Sequence, residues 1–180
     1  MKTPFTLLLL IVFASVVTGQ PSQKIARSPK LNYDWRPGFV SITELTYATG
    51  LSETGKIYAD YYYGLTTVMG HQFSRNIIAG IGIGLQKHNG GTLFPLYIDA
   101  RYSFSAQEVV PFIGAAGGLA LSFEDLNGWS FVFINPSLGI KWVAANRTGV
   151  SFSTGLMVMS ATENRNSYIN FKLGLELKGK

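Results

Sequence analysis

Residues 76–87 read NIIAGIGIGLQK and residues 92–104 read TLFPLYIDARYSF, with only HNGG between them. Each long piece alternates with period two, which makes it a β-strand with two unlike faces. In the first, Ile77, Ala79, Ile81, Ile83 and Leu85 share a face, and Ile78, Gly80, Gly82 and Gly84 share the other. In the second, Phe94, Leu96, Ile98, Ala100, Tyr102 and Phe104 oppose Pro95, Tyr97, Asp99, Arg101 and Ser103. One face is broad and apolar; the other is small or charged. Such a pair can turn its apolar face to a soluble core, or outward to lipid with the small and charged face lining a narrow barrel.

The rest of the chain repeats the pattern. Eight strand-like runs are expected, at about Phe39–Thr49, Tyr58–Phe73, Ile77–Lys87, Leu93–Phe104, Phe112–Phe123, Trp129–Val143, Gly149–Ser160 and Tyr168–Lys178. Turn or loop signals rich in Gly, Asn and Ser separate them. The runs exceed the ~5–6 residues of an ordinary soluble strand. They suffice for the ~9–11 residues of a tilted membrane strand. Mid-strand charges all fall on one face: Glu44, Asp99, Arg101, Lys141, Lys172 and Glu176. The opposite face stays apolar at mid-strand, with Ile81, Ile98, Leu121, Ile140, Phe152 and Leu173. An Arg or Lys there would cost ~2–4 kcal/mol in lipid, so the partition is the one lipid exposure demands. The six charges are expected to form a polar network in the lumen, with Glu44 and Lys172 paired across the seam between the first and last strands.

Composition agrees. The chain is 47% hydrophobic and only 14% charged, yet no apolar run after the N-terminus approaches the ~20 residues of a membrane helix. An alternating barrel resolves that conflict, because its apolar residues are spread over every second position. Aromatic residues gather near the strand ends: Tyr47, Tyr61, Tyr63, Phe94, Phe123, Trp129 and Tyr168 toward one rim, Phe39, Phe73, Tyr102, Phe104 and Trp142 toward the other. Two such girdles are expected at lipid–water interfaces. The net charge of +5 includes no basic stripe, so nucleic acid is not an expected partner.

At the N-terminus, Lys2 precedes an apolar run from Leu7 to Val17, and small residues follow. Residues 1–19 are read as a signal peptide cleaved before Gln20, residues 20–36 as a flexible periplasmic tail, and 37–180 as the barrel. The chain has no Cys, which excludes a disulfide framework and a lipid-modified N-terminal cysteine.

The pattern carried by GHQFSRNIIAGIGIGLQ, FPLYIDARYSF, PFIGAAGGLAL and NFKLGLEL resembles the small outer-membrane β-barrel proteins common in Bacteroidota, the porin-family group with an OmpA/OmpX-like fold. The resemblance covers about Pro37 to Lys178. It implies an all-β, eight-stranded antiparallel up-and-down transmembrane barrel in the bacterial outer membrane, exported through the periplasm. Outer-membrane lipid and, during biogenesis, the barrel-assembly machinery are the partners it implies. Leu177 stands where such proteins usually carry a terminal aromatic residue.

Little in the chain points to catalysis. An enzyme acting on lipid needs a base, a nucleophile and an orienting acid together. Of the two histidines, His71 falls on the lipid-facing parity near a rim. His88 opens the second outer loop, where Asp125 or Ser160 could approach it, but no local motif joins them. Gly80, Gly82 and Gly84 alternate along a strand and lack the Lys and helix of a phosphate loop. Cys is absent and no His pair has ligand spacing, so no metal or cofactor is expected. The expected role is non-enzymatic: structural, or binding at the outer loops, whose ligand the sequence does not name. The alternatives are a narrow pore, a lipid-modifying enzyme, and a soluble lipocalin-like carrier, which would need the two faces reversed.

Overall fold

The computed structural model describes residues 33–51, 60–104, 108–122, 130–161 and 165–179. The expected signal peptide, the tail as far as residue 32, and the loop residues Glu53, Phe123, Asp125, Trp129 and Asn164 lie outside them.

Eight strands follow one another: β1 Gly38–Gly50, β2 Tyr61–Gln72, β3 Ile77–His88, β4 Gly91–Ser103, β5 Val109–Ser122, β6 Ser130–Ala145, β7 Thr148–Ser160 and β8 Arg165–Lys178. Each pairs antiparallel with the next, and β1 pairs with β8 to close the barrel. Closure leaves no sheet edge. The alternation that marks the strands in the sequence is therefore the alternation between wall exterior and lumen. In β8, for example, Ile169, Phe171, Leu173, Leu175 and Leu177 are exposed, while Asn170, Lys172 and Glu176 are buried.

One end of the barrel, here the terminal end, holds Gly38, Lys178, the ends of β4 and β5 at Ser103 and Val109, and the connections at 73–76 and 146–147. The opposite, loop end holds Gly50, Tyr61, Ser122, Ser130, Ser160 and Arg165 at the strand ends, and one tight turn, Asn89–Gly90. At the β2–β3 connection the Ser74 hydroxyl accepts from the Asn76 and Ile77 backbone amides at 3.3 and 3.2 Å. The Asn76 side-chain Nδ2 donates to the Ser103 carbonyl at 2.6 Å, tying this turn to the end of β4.

Register is set by pairwise contact across the wall. Gly82 stands opposite Tyr97, and a Cβ on Gly82 would lie 2.2 Å from the Tyr97 ring. The glycine is thus the floor on which a large lumen aromatic lies. Gly174 does the same for Glu44, its partner across the β1–β8 seam, where an added Cβ would meet Ser151 Oγ at 2.4 Å and the Glu44 stem at 3.4 Å. Small inward residues let a barrel of eight strands be filled by the few long side chains it contains.

Two expectations change. Tyr168 is not part of an aromatic girdle: it shares the parity of Asn170 and Lys172, and is fully buried in the lumen. His88 does not open a loop. It is the last residue of β3, faces inward and is buried.

Candidate functional site: the filled lumen

The lumen is layered from the terminal end to the loop end. In the middle, Arg101 of β4 reaches across to Glu44 of β1, with 3.0 Å between Nη2 and Oε1. Its Nε donates to Asp99 Oδ1 at 2.7 Å, and Nη2 to Oδ2 at 3.3 Å. Lys172 Nζ lies 3.6 Å from Glu44 Oε2. Four of the six expected charges therefore form one group. The Glu44–Lys172 contact is diagonal, since Glu44 stands opposite Gly174 and Lys172 opposite Thr46. The two residues thus stand one pleat out of direct register across the seam, as the stagger of a closed barrel allows.

The remaining two, Lys141 of β6 and Glu176 of β8, pair at 2.8 Å nearer the terminal end, skipping β7 between them. All six side chains are buried. Glu44, Asp99 and Glu176 balance Arg101, Lys141 and Lys172, so the fully charged set is neutral. That matters because a buried charge without a partner is costly.

Toward the loop end the filling changes character. Asn170 Nδ2 donates to Asn135 Oδ1 at 3.1 Å across the lumen. Beside them lies a cavity of about 10 Å³ lined by Thr46, Thr66, Gln86, Tyr97, Asn135 and Lys172, among others, which is room for about one water. Above it the Tyr62 hydroxyl donates to Met157 Sδ at 3.0 Å. His88 stacks on Tyr62 with 4.8 Å between ring centroids, and Tyr168 packs edge-on to both. Ser160, which the sequence allows beside His88, is exposed on the opposite face of β7. Asp125 lies outside the described residues. His71 is exposed on the outer wall, its ring against Phe73 at 5.1 Å.

The terminal end is closed by residues placed in the tail on sequence grounds. Tyr33 is buried and packs with Val110, Val143 and Trp35. Its hydroxyl donates to Glu176 Oε1. Burial, and then the Glu176 charge, push the Tyr33 pKa far up, so the phenol keeps the proton it donates. Lys141 Nζ lies 5.0 Å from the Tyr33 ring centroid and 5.3 Å from that of Trp35. The Asp34 carboxyl is held well below the ordinary carboxylate range by hydrogen bonds from the Arg36 side chain and backbone amide. The sequence does carry a signal for this layer. Tyr33 and Trp35 are two aromatics at alternate positions in a segment otherwise read as solvated.

Comparison with known proteins returns the fold. No protein-family model and no curated protein matches the chain. Among solved structures, Neisserial surface protein A (NspA) superposes with a TM-score of 0.65 at 14% identity, over 80% of this chain and 99% of that one. The N-terminal β-barrel domain of Pseudomonas aeruginosa OprF gives 0.49 at 12% identity, over 79% and 100%. The likeness to Neisserial surface protein A is one of fold, and the fold here is a closed antiparallel barrel of eight strands.

Proposed function

We propose that this chain is an integral outer-membrane β-barrel with a structural or surface-binding role, not an enzyme, and with a lumen blocked by its own side chains. The observation that carries the reading is the outer wall. Leu45, Leu65, Ile81, Ile98, Leu138 and Leu173 are each more than half exposed in the middle of their strands, a surface that water would not tolerate. Lys87 and Arg165, the charged residues that face outward from the described strands, sit at strand ends. A strand of 12 residues, at ~3.3 Å per residue and tilted ~40°, spans ~30 Å, the thickness of a bilayer's hydrocarbon core. Exposed Tyr47, Tyr61 and Tyr63 mark one rim of the belt, and Phe39, Phe73, Tyr102, Phe104 and Trp142 mark the other.

A blocked lumen is supported by the cross-lumen contacts and by a cavity with room for about one water. A carrier of apolar ligands would need its apolar side chains inside, where the charges are. Against lipid chemistry stands the placement of His88, enclosed by Tyr62 and Tyr168. Export through the periplasm and insertion by the assembly machinery complete the reading; the outer-loop ligand has no assignment. The test is fractionation after expression in a Gram-negative host. The protein should stay in the outer-membrane pellet through high salt and alkaline carbonate; release as soluble protein would overturn the proposal.

A further inference from the structure

Tyr33–Arg36 belong to no strand, yet they lie across the terminal mouth and touch much of its circumference. The Asp34 amide donates to the Asn146 carbonyl in the β6–β7 turn at 2.7 Å. Among the described residues this is the segment's one backbone-to-backbone hydrogen bond. Its other attachments are side-chain tips. Lys178 Nζ of β8 donates to the Asp34 and Arg36 carbonyls, Gln72 of β2 donates to the Trp35 carbonyl at 3.3 Å, and Arg147 lies 3.5 Å from the Asp34 carboxylate.

We propose that Tyr33–Arg36 form a detachable strap that seals the terminal mouth and swings out as a unit while the eight-stranded wall stays folded, opening the lower lumen at Lys141 and Glu176 to water and small solutes.

Three features separate strap from wall. First, no strand register uses it: the β1–β2 ladder starts at Gly38–Gln72 and the β1–β8 ladder at Val40–Lys178. Second, opening strands no buried charge. Glu176 keeps Lys141 at 2.8 Å, Asp34 leaves together with Arg36, bound to it at 3.0 and 3.1 Å, and Lys178 lies at the rim, where water replaces the carbonyls it loses. Third, what opening gives up is local: the burial of Tyr33 against Val110 and Val143, the hydrogen bond from its hydroxyl to Glu176, the Lys141 contacts with the two rings, the Arg75 contact with Trp35, and the side-chain contacts of Lys178, Gln72 and Arg147. Elements held by few buried contacts open below the global unfolding free energy. The layer of Arg101, Glu44 and Asp99 stays in place, so an open strap exposes a vestibule and not a through-pore. The strap opens the same mouth wherever the barrel resides.

The chain has no Cys, so one engineered thiol is a unique reporter. Val110→Cys sits behind the strap and Ala120→Cys near the loop end, both fully buried. A water-soluble maleimide is applied to the folded protein, with the strap wild type, loosened by Tyr33→Ala with Trp35→Ala, or released by Lys178→Met. The expected result is a tenfold or greater rise in the Val110→Cys labelling rate in both strap variants, with Ala120→Cys unchanged. An unchanged Val110→Cys rate in both variants would overturn the proposal. So would equal acceleration at both thiols in both variants, because the strap would then open only with the wall.

Discussion

Removing Arg101 should destabilise the barrel out of proportion to the atoms lost. Arg101→Met keeps most of the side-chain volume but deletes the cation bonded to Glu44 at 3.0 Å and Asp99 at 2.7 Å. The six-charge set then carries a net −1. Glu44 retains Lys172 at 3.6 Å, whereas Asp99 loses both of its hydrogen bonds to the guanidinium. Breaking a buried pair from one side costs about 3–5 kcal/mol, while replacing both partners with neutral groups is often close to cost-free. Arg101→Met combined with Asp99→Asn restores neutrality, with Glu44 and Glu176 facing Lys141 and Lys172. The double variant should therefore recover most of the loss. The assay is reversible urea unfolding in lipid vesicles, with the two single variants and the double variant forming a thermodynamic cycle. A single-variant loss below ~1 kcal/mol, or a double variant no more stable than Arg101→Met, would refute the claim that the network is held by charge balance.

Three further expectations follow from other layers. Leu173→Arg, on the outer face of β8, should lose ~2–4 kcal/mol in bilayers, read as impaired insertion into vesicles. Gly82→Ala should lower the urea midpoint by the equivalent of ~1–3 kcal/mol, since its Cβ would sit 2.2 Å from a Tyr97 ring already packed against Phe133. The Asp34 carboxylate meets the wall at Arg147 (3.5 Å) and Lys178 (3.9 Å); Arg36, in the strap itself, holds its pKa below the ordinary value of about 4, so the two wall contacts persist until the pH falls well below that value and are then lost. In a Trp129→Phe, Trp142→Phe background, acidification should red-shift Trp35 emission, and Asp34→Asn should show that shift already at neutral pH.

The wall was legible because each strand spells its two faces in alternate residues, and a one-residue slip would put Asp99, Arg101 or Lys172 into the outer face. That constraint placed all eight strands, with ends moving by a few residues: β4 starts at Gly91 rather than Leu93, and β8 at Arg165 rather than Tyr168. Parity also identifies the six inward charges, but not who meets whom. Arg101 bonds to Glu44 from three strands away, a contact that depends on barrel radius and shear, neither of which a single strand encodes. Tyr168 shows that residue type can mislead where parity does not: read as an interfacial aromatic, it is a lumen aromatic by its spacing from Asn170 and Lys172. The strap left only a faint signal, the alternate aromatics Tyr33 and Trp35, for a different reason. Pro29 and Pro37 and the polar residues between Gln20 and Arg36 give no periodicity, and what orders Tyr33 is a mouth formed by residues more than 70 positions downstream, among them Val110, Val143 and Glu176.

The claim on which everything else rests is that the apolar face of the wall meets lipid. Spin labels placed singly at Leu96, Tyr97, Ile98, Asp99 and Ala100 of β4, in vesicles, test it directly. Lipid contact should give a period-two oscillation: oxygen accessibility high at 96, 98 and 100 and low at 97 and 99, with collision against a water-soluble nickel chelate low at all five. High nickel-chelate accessibility at 96, 98 and 100 would place that face in water and rule out a lipid-facing wall.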